Sequence, residues 1–253
     1  MFDDLGVPVE VRTSPRRVVS LVPSLTEAIA ATVPGVLVGA TDWCTHPDGL
    51  DVERVRGTKN PDRAKIAALK PDLVIANEEE NRKLDVERLR DAGITVWVTK
   101  IDSVDEAFRS LERLFRDAFG LTALPHWLHQ ARDVWDAPPR RPGLRVAVPI
   151  WRDPWIWVGA HTYAGDVMER LGWTNAAASL GERYPHADPA RTVAASGGMD
   201  AVLLPDEPYA FGPDDGPDAF PATLRTVAVP GRALFWYGPA MIEARETLEA
   251  SIN

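Results

Sequence analysis

Apolar residues fall along this chain in two alternating patterns: short continuous runs, and longer stretches in which they recur every three or four positions. Residues 17–22, RVVSLV, are the first run, and 36–40, 73–76 and 94–99 repeat it. A strand covered on both faces reads this way, because neither face has to be polar. Between the runs lie helical stretches. Ser24 is placed to cap a helix reaching Thr32, with Glu27 at the capping-box position. A second helix opens at Asn60 or Pro61 and ends at Leu69. A third comes after the polar run 77–82 and ends before Gly93. Strand and helix alternating at this spacing predict a parallel sheet with helical crossovers. In the middle of the chain Val104, Phe108, Leu111, Phe115 and Ala118 share one helical face. The pattern restarts after Gly120 with Leu124, Leu128, Ala131 and Trp135, and stops at Pro138-Pro139. We read 103–119 as the last crossover helix of a first lobe and 122–136 as a connector about 22 Å long.

The second half repeats the grammar less cleanly. Runs at 144–150, 155–158, 200–204, 224–229 and 233–236 read as strands, and 162–171 and 239–251 as helices. The segments 174–198 and 205–223, rich in Gly, Pro, Asp and Ala, read as loops. The fold class expected is α/β: an N-terminal lobe over 1–119, a connecting helix over 120–139 and a C-terminal lobe over 140–253, each lobe with a central, mainly parallel sheet.

Composition narrows the function more than the fold. With 253 residues the chain can build two small cores. A net charge of −9 argues against nucleic acid and anionic membranes as partners. No run approaches the roughly 20 apolar residues of a membrane span. Cys44 is the only cysteine, so no intrachain disulfide forms. The start, MFDDLGVPVEV, has neither a basic n-region nor an apolar h-region, which sets the expectation of a cytoplasmic protein, or a periplasmic or extracellular one if a leader has been removed. Nine tryptophans exceed what cores of this size need, so some are expected to line a site. There is no Gly-x-Ser-x-Gly elbow, Walker loop, dinucleotide fingerprint or His-Glu-x-x-His, and the expectation is a protein that is not an enzyme.

Four segments, RRVVSLVPSLTEAIAA, VGATDWCTHPDG, IAALKPDLVIANEEEN and LRDAGITVWVTKIDSVDEAF, stand in an order and spacing that resembles the substrate-binding proteins of metal-chelate importers. These helical-backbone receptors include the periplasmic cobalamin-binding protein and siderophore-binding proteins. The likeness covers residues 15–120, and WRDPWIWVGAHTYAGDVMERLGW resembles the matching C-lobe segment. It implies two α/β lobes joined by one long helix, a ligand in the cleft between them and small closure; a monomer is expected. One feature departs from the pattern. The glutamates by which such receptors dock to a permease would fall at Ala64 and Val193, which makes docking to an importer doubtful.

In open α/β sheets ligands sit beyond the carboxyl ends of the strands. On that edge Trp43 and Trp151 are expected to wall a flat chelate of corrinoid, haem or siderophore type, with Ser24, Thr26, Glu79, Asn81, Arg82 and Arg152 orienting it. His161, Tyr163, Tyr209 and Trp236 lie on the same edge of the second lobe. Trp97, Trp127, Trp135 and Trp173 read as core. An alternative uses Cys44 and His46 as metal ligands, with a carboxylate from 78–80, in a metal-binding protein or enzyme.

Overall fold

The computed structural model describes residues 1–11, 14–140 and 142–252. Its chain forms two compact units. The first comprises Met1–Ile101, Asp105–Gln130 and Tyr237–Pro239, and the second Asp102–Val104, Ala131–Trp236 and Ala240–Asn253.

In the first unit the chain runs β1 (Val18–Ser20), α1 (Pro23–Thr32), β2 (Leu37–Ala40), β3 (Glu53–Arg54), α2 (Arg63–Ala68), β4 (Leu73–Asn77), α3 (Lys83–Asp91), β5 (Val96–Thr99) and α4 (Val104–Arg113). The strands make one parallel sheet in the order β3-β2-β1-β4-β5. All residues of β4 and β5 are buried, as their unbroken apolar runs require. Val19, Val74 and Val98 from the sheet pack with Ile66 of α2 and Val86 and Leu89 of α3.

Three local readings change here. Ser24 does not cap α1: the cap position is Val22, which makes no side-chain bond, and Pro23 opens the helix where its missing N–H costs nothing. The cap of α2 is Asp62, whose carboxylate accepts from the Lys65 amide at 3.0 Å. After α4 the helix widens into a π-helical turn over Leu114–Ala118, with the Phe119 amide bonded to the Leu114 carbonyl.

The second unit holds the end of α5 (His126–Asp136), then β6 (Arg145–Ala147), β7 (Pro149–Trp151), β8 (Ile156–Trp157), α6 (Tyr163–Arg170), β9 (Thr174–Asn175), α7 (Pro189–Ala195), β10 (Ala201–Pro205), β11 (Arg225–Val229), α8 (Gly231–Phe235) and α9 (Met241–Ser251). Its sheet is parallel, β11-β10-β6-β9, and β7 pairs with β8 as an antiparallel hairpin. Thr162 caps α6 as its position suggests, accepting from the Gly165 amide. The run 233–236, read as a strand, is helix α8, and the segment 174–198, read as loop, contains β9 and α7. Arg245 of α9 is buried and donates to the carbonyls of Val134 and Ala137, closing the C-terminal end of α5. No helix among the described residues is long and apolar enough to cross a membrane.

Candidate functional site

The loops after β1, β2, β4 and β5 form the carboxyl edge of the first sheet. The loop after β2 carries Trp43, which is 66% exposed, whereas Trp97 in β5 is fully buried. The Trp43 indole lies over Gly57, where an added Cβ would stand 3.3 Å from Nε1 and 2.5 Å from Asn60 Oδ1. The loop is held from beneath by Arg54. Its guanidinium donates to the carbonyls of Thr41 (3.0 Å), Cys44 (2.8 Å) and Leu50 (3.2 Å). Arg54 is invisible to sequence reasoning because its partners are backbone carbonyls, which leave no mark in residue type.

Several expected ligand contacts also bond within the frame. Asn81 is buried, donates to the carbonyls of Leu21 (3.2 Å) and Thr58 (2.9 Å), and accepts from the Asn77 amide (2.8 Å). Its amide is used up in joining three loops. Thr26 is buried in α1, donating to the Val22 carbonyl at 2.8 Å and lying 3.0 Å from Cys44 Sγ. Ser24 is buried at the start of α1, and its Oγ makes no hydrogen bond. Glu79 and Arg82 are exposed on the turn between β4 and α3. There Glu78 pairs with Lys100 at 3.2 Å, and Lys59 Nζ donates to the Glu79 carbonyl.

Cys44 and His46, the metal ligands of the alternative reading, stand in different environments. Cys44 is fully buried, and burial raises its thiol pKa although Thr26 and Thr41 both approach the sulfur. A protonated thiol in an apolar site is a poor metal ligand. His46 Nδ1 lies 3.1 Å from Thr45 Oγ1. Among the described residues no group of three His, Cys, Asp or Glu could hold a metal ion.

On the second unit the exposed ring is Trp151, at the end of β7 and 45% accessible. It meets Tyr209 edge-on, with ring centroids 5.5 Å apart. Tyr209 continues into a ladder through Phe211, Trp155 and Trp157, with centroid spacings of 4.7, 5.7 and 5.9 Å. Arg152 is engaged within its own unit. It forms a salt bridge with Asp215 and a two-pronged one with Asp218 (2.9 and 2.7 Å), and its guanidinium lies 5.5 Å from the Trp155 ring centre. Tyr209 donates to the other oxygen of Asp215 at 2.7 Å. The bonds from Arg152 hold the Asp218 carboxyl down to about 2 and raise the guanidinium further above its ordinary value. Neither aspartate stands out in sequence, since both lie in a Gly/Pro/Asp-rich segment that reads as plain loop.

His161 is exposed at the N-terminal end of α6, with a left-handed φ of 57°. Tyr163 and Trp236 turn inward: both are buried, and the Tyr163 hydroxyl donates to the Trp236 carbonyl at 3.3 Å. Each unit therefore presents one large exposed indole beyond the ends of its parallel strands.

No protein-family model matches the chain. In sequence it is 39% identical over 111 residues to an uncharacterized ABC transporter substrate-binding lipoprotein of Bacillus subtilis, covering 42% of this chain and 35% of that protein. It is 34% identical over 100 residues to a vitamin B12-binding protein of Vibrio cholerae, covering 39% of this chain and 36% of the relative. The match thus spans about a third of the length of these curated relatives. In structure the likeness extends over almost everything. The periplasmic vitamin B12-binding protein of Vibrio cholerae superposes with a TM-score of 0.75 at 21% identity, over 95% of this chain and 97% of the other. The periplasmic haem-binding protein HutB of the same organism gives 0.73 at 19% identity, over 93% and 98%. The expectation of a cytoplasmic location finds no support in relatives described as lipoproteins or periplasmic, and the doubt about an importer finds none either. By sequence over about two fifths of its length this chain is similar to a substrate-binding lipoprotein and to a vitamin B12-binding protein, and over nearly all of its length it shares the two-lobe α/β fold of the B12-binding and haem-binding periplasmic proteins.

Proposed function

We propose that this chain is a non-catalytic binding protein for a metal chelate of the corrinoid, haem or siderophore class, and that Trp43 and Trp151 are its principal contacts. The observation that carries the reading is the fate of the indoles. Trp97, Trp135, Trp157 and Trp173 are buried, yet Trp43 and Trp151 stand out into solvent beyond the carboxyl ends of the strands. Core packing accounts for the buried rings and not for these two, and a flat, largely apolar chelate would cover an exposed indole. Glu79, Arg82 and His161, exposed on the same edges, would orient it. The relatives' descriptions support delivery to an ABC importer outside the cytoplasm as the setting.

Titration with cyanocobalamin, haemin and a ferric siderophore, followed by quenching of tryptophan fluorescence, tests the proposal. At least one chelate is expected to quench saturably, and Trp43→Ala and Trp151→Ala each to weaken binding by about tenfold or more. Absence of quenching by all three, or full affinity in both variants, rejects it.

A further inference from the structure

The charge around Trp151 says more about the ligand than the fold does. Resting on the chelate-binding reading, we propose that the carboxyl edge of the second unit selects by charge: it accepts the neutral or cationic, amide-rimmed face of a corrinoid and rejects chelates whose rim carries carboxylates or catecholates.

Trp151 and Tyr209 share this edge with Asp215, which accepts from Tyr209, with Asp218, which Arg152 holds, and with Asp153 and Asp214 close to them along the chain. Residues 206–224 contain no lysine or arginine. Asp153 lies within electrostatic reach of the Tyr209 hydroxyl, so its charge belongs to the same patch. The guanidinium bonded into this group, that of Arg152, is engaged, and so is the next along the edge. Arg152 is divided between Asp215 and Asp218, and Arg232 lies 5.5 Å from the Trp236 ring centre, within reach of Glu207. A haem propionate or a catecholate brought to Trp151 would meet a carboxylate excess with the nearby arginines already committed. The turn between β4 and α3 in the first unit differs, since Glu78, Glu79 and Glu80 are balanced there by Lys59, Arg82 and Lys100. The fold cannot make this distinction, because B12-binding and haem-binding proteins of one organism superpose on the chain almost equally well.

Arg152 in this account is a positioning residue: it ties the acidic segment to the base of Trp151 and is withheld from the ligand. Carboxylates that can be changed without disturbing that tie are Asp153 and Asp214, both exposed. The experiment compares affinities of the full chain for diaquacobinamide, cyanocobalamin and haemin, at about 10 mM and about 300 mM salt, for wild type and for D153N/D214N. The expected result is that both corrinoids bind at least about tenfold more tightly than haemin, and that haemin alone gains affinity as salt screens the repulsion. D153N/D214N should narrow the corrinoid-to-haemin ratio about three- to tenfold while its thermal midpoint stays at the wild-type value. Haemin binding as tightly as the corrinoids, or an unchanged ratio in D153N/D214N, overturns the selection by charge and leaves chelate binding standing. If none of the three binds, the chelate-binding reading falls, and this inference with it.

Discussion

At the scale of single residues, polar side chains at strand ends have two possible employers, a ligand or the backbone around them. Residue type does not say which. Asn81 and Thr26 serve the backbone, while Trp43 and Trp151 are left over from it. Cys44 shows how environment overrides chemistry. In sequence the Cys-x-His pair suggests a ligand set, whereas in the fold the sulfur is enclosed, with desolvation the main cause of its raised pKa and the nearby Glu80 charge adding to it. The consequence for stability has a definite sign. The unfolded chain loses the thiol proton near the ordinary value of 9.0, before the folded chain does. Stability is therefore full below that pH and falls as pH rises above it, because the folded state binds the proton more tightly. The midpoint of urea unfolding should drop between pH 8 and pH 10 by more in wild type than in Cys44→Ala. Iodoacetamide should label the native protein far more slowly than the unfolded one. Fast native labelling, or identical pH slopes in the two proteins, would contradict the buried-thiol picture.

At the scale of elements, legibility tracks burial. The strands β1, β4, β5 and β10 are legible in sequence because both their faces are covered, which writes continuous apolar runs. Helix α8 reads as a strand for the same reason in reverse: Ala-Leu-Phe-Trp is apolar, and four residues cannot separate a period of two from one of 3.6. Strand β3 is only two residues long, and α7 sits in a stretch of turn-forming residues, so neither leaves a periodic signal. The segment after β10 belongs with these. Its order comes from Arg152, more than sixty residues earlier, which no local pattern records. Arg152→Ala should release it, and hydrogen exchange in 206–218 should speed up while β10 and β11 keep their protection. Acid should act like the mutation. Asp218 is held near 2 by Arg152, below its ordinary value of 3.8, so the tether is intact above that ordinary value and is lost as pH falls through about 2. Exchange corrected for its intrinsic pH dependence should stay slow at pH 4, and a loop already mobile there would show that the ion pairs do not hold it.

At the scale of the whole molecule, two α/β units with parallel sheets can be read from the alternation of runs. Long-range pairing cannot. The first nine residues illustrate this. In sequence they yield only a judgement on leader character, yet they form a clasp within the first unit. Asp3, whose side chain is fully enclosed, accepts from the amides of Leu5 and Val7 and pairs with Arg90 of α3 at 2.7 Å. Asp4 accepts from the Lys100 amide at 3.1 Å, pairs with Arg113 of α4 at 2.6 Å and receives the Ser110 hydroxyl. Arg113 in turn lies 5.8 Å from the centre of the buried Trp97 ring. Two consecutive aspartates thus join α3, α4 and the end of β5, elements far from them along the chain. Removing an enclosed carboxylate leaves two amides without their acceptor and strips Arg90 of its counter-charge, with only the Val96 carbonyl still accepting from it, so Asp3→Ala should cost about 3 kcal/mol. Asp4→Ala should cost less, because Arg113 is 40% exposed and solvent weakens that pair. The loss should be local. Hydrogen exchange should rise in α3, β5 and α4 and remain at wild-type levels in β10, β11 and α9, whose contacts lie within the second unit. A wild-type unfolding midpoint for Asp3→Ala, or exchange that rises equally in both units, would mean that the clasp rests on the surface without supporting it.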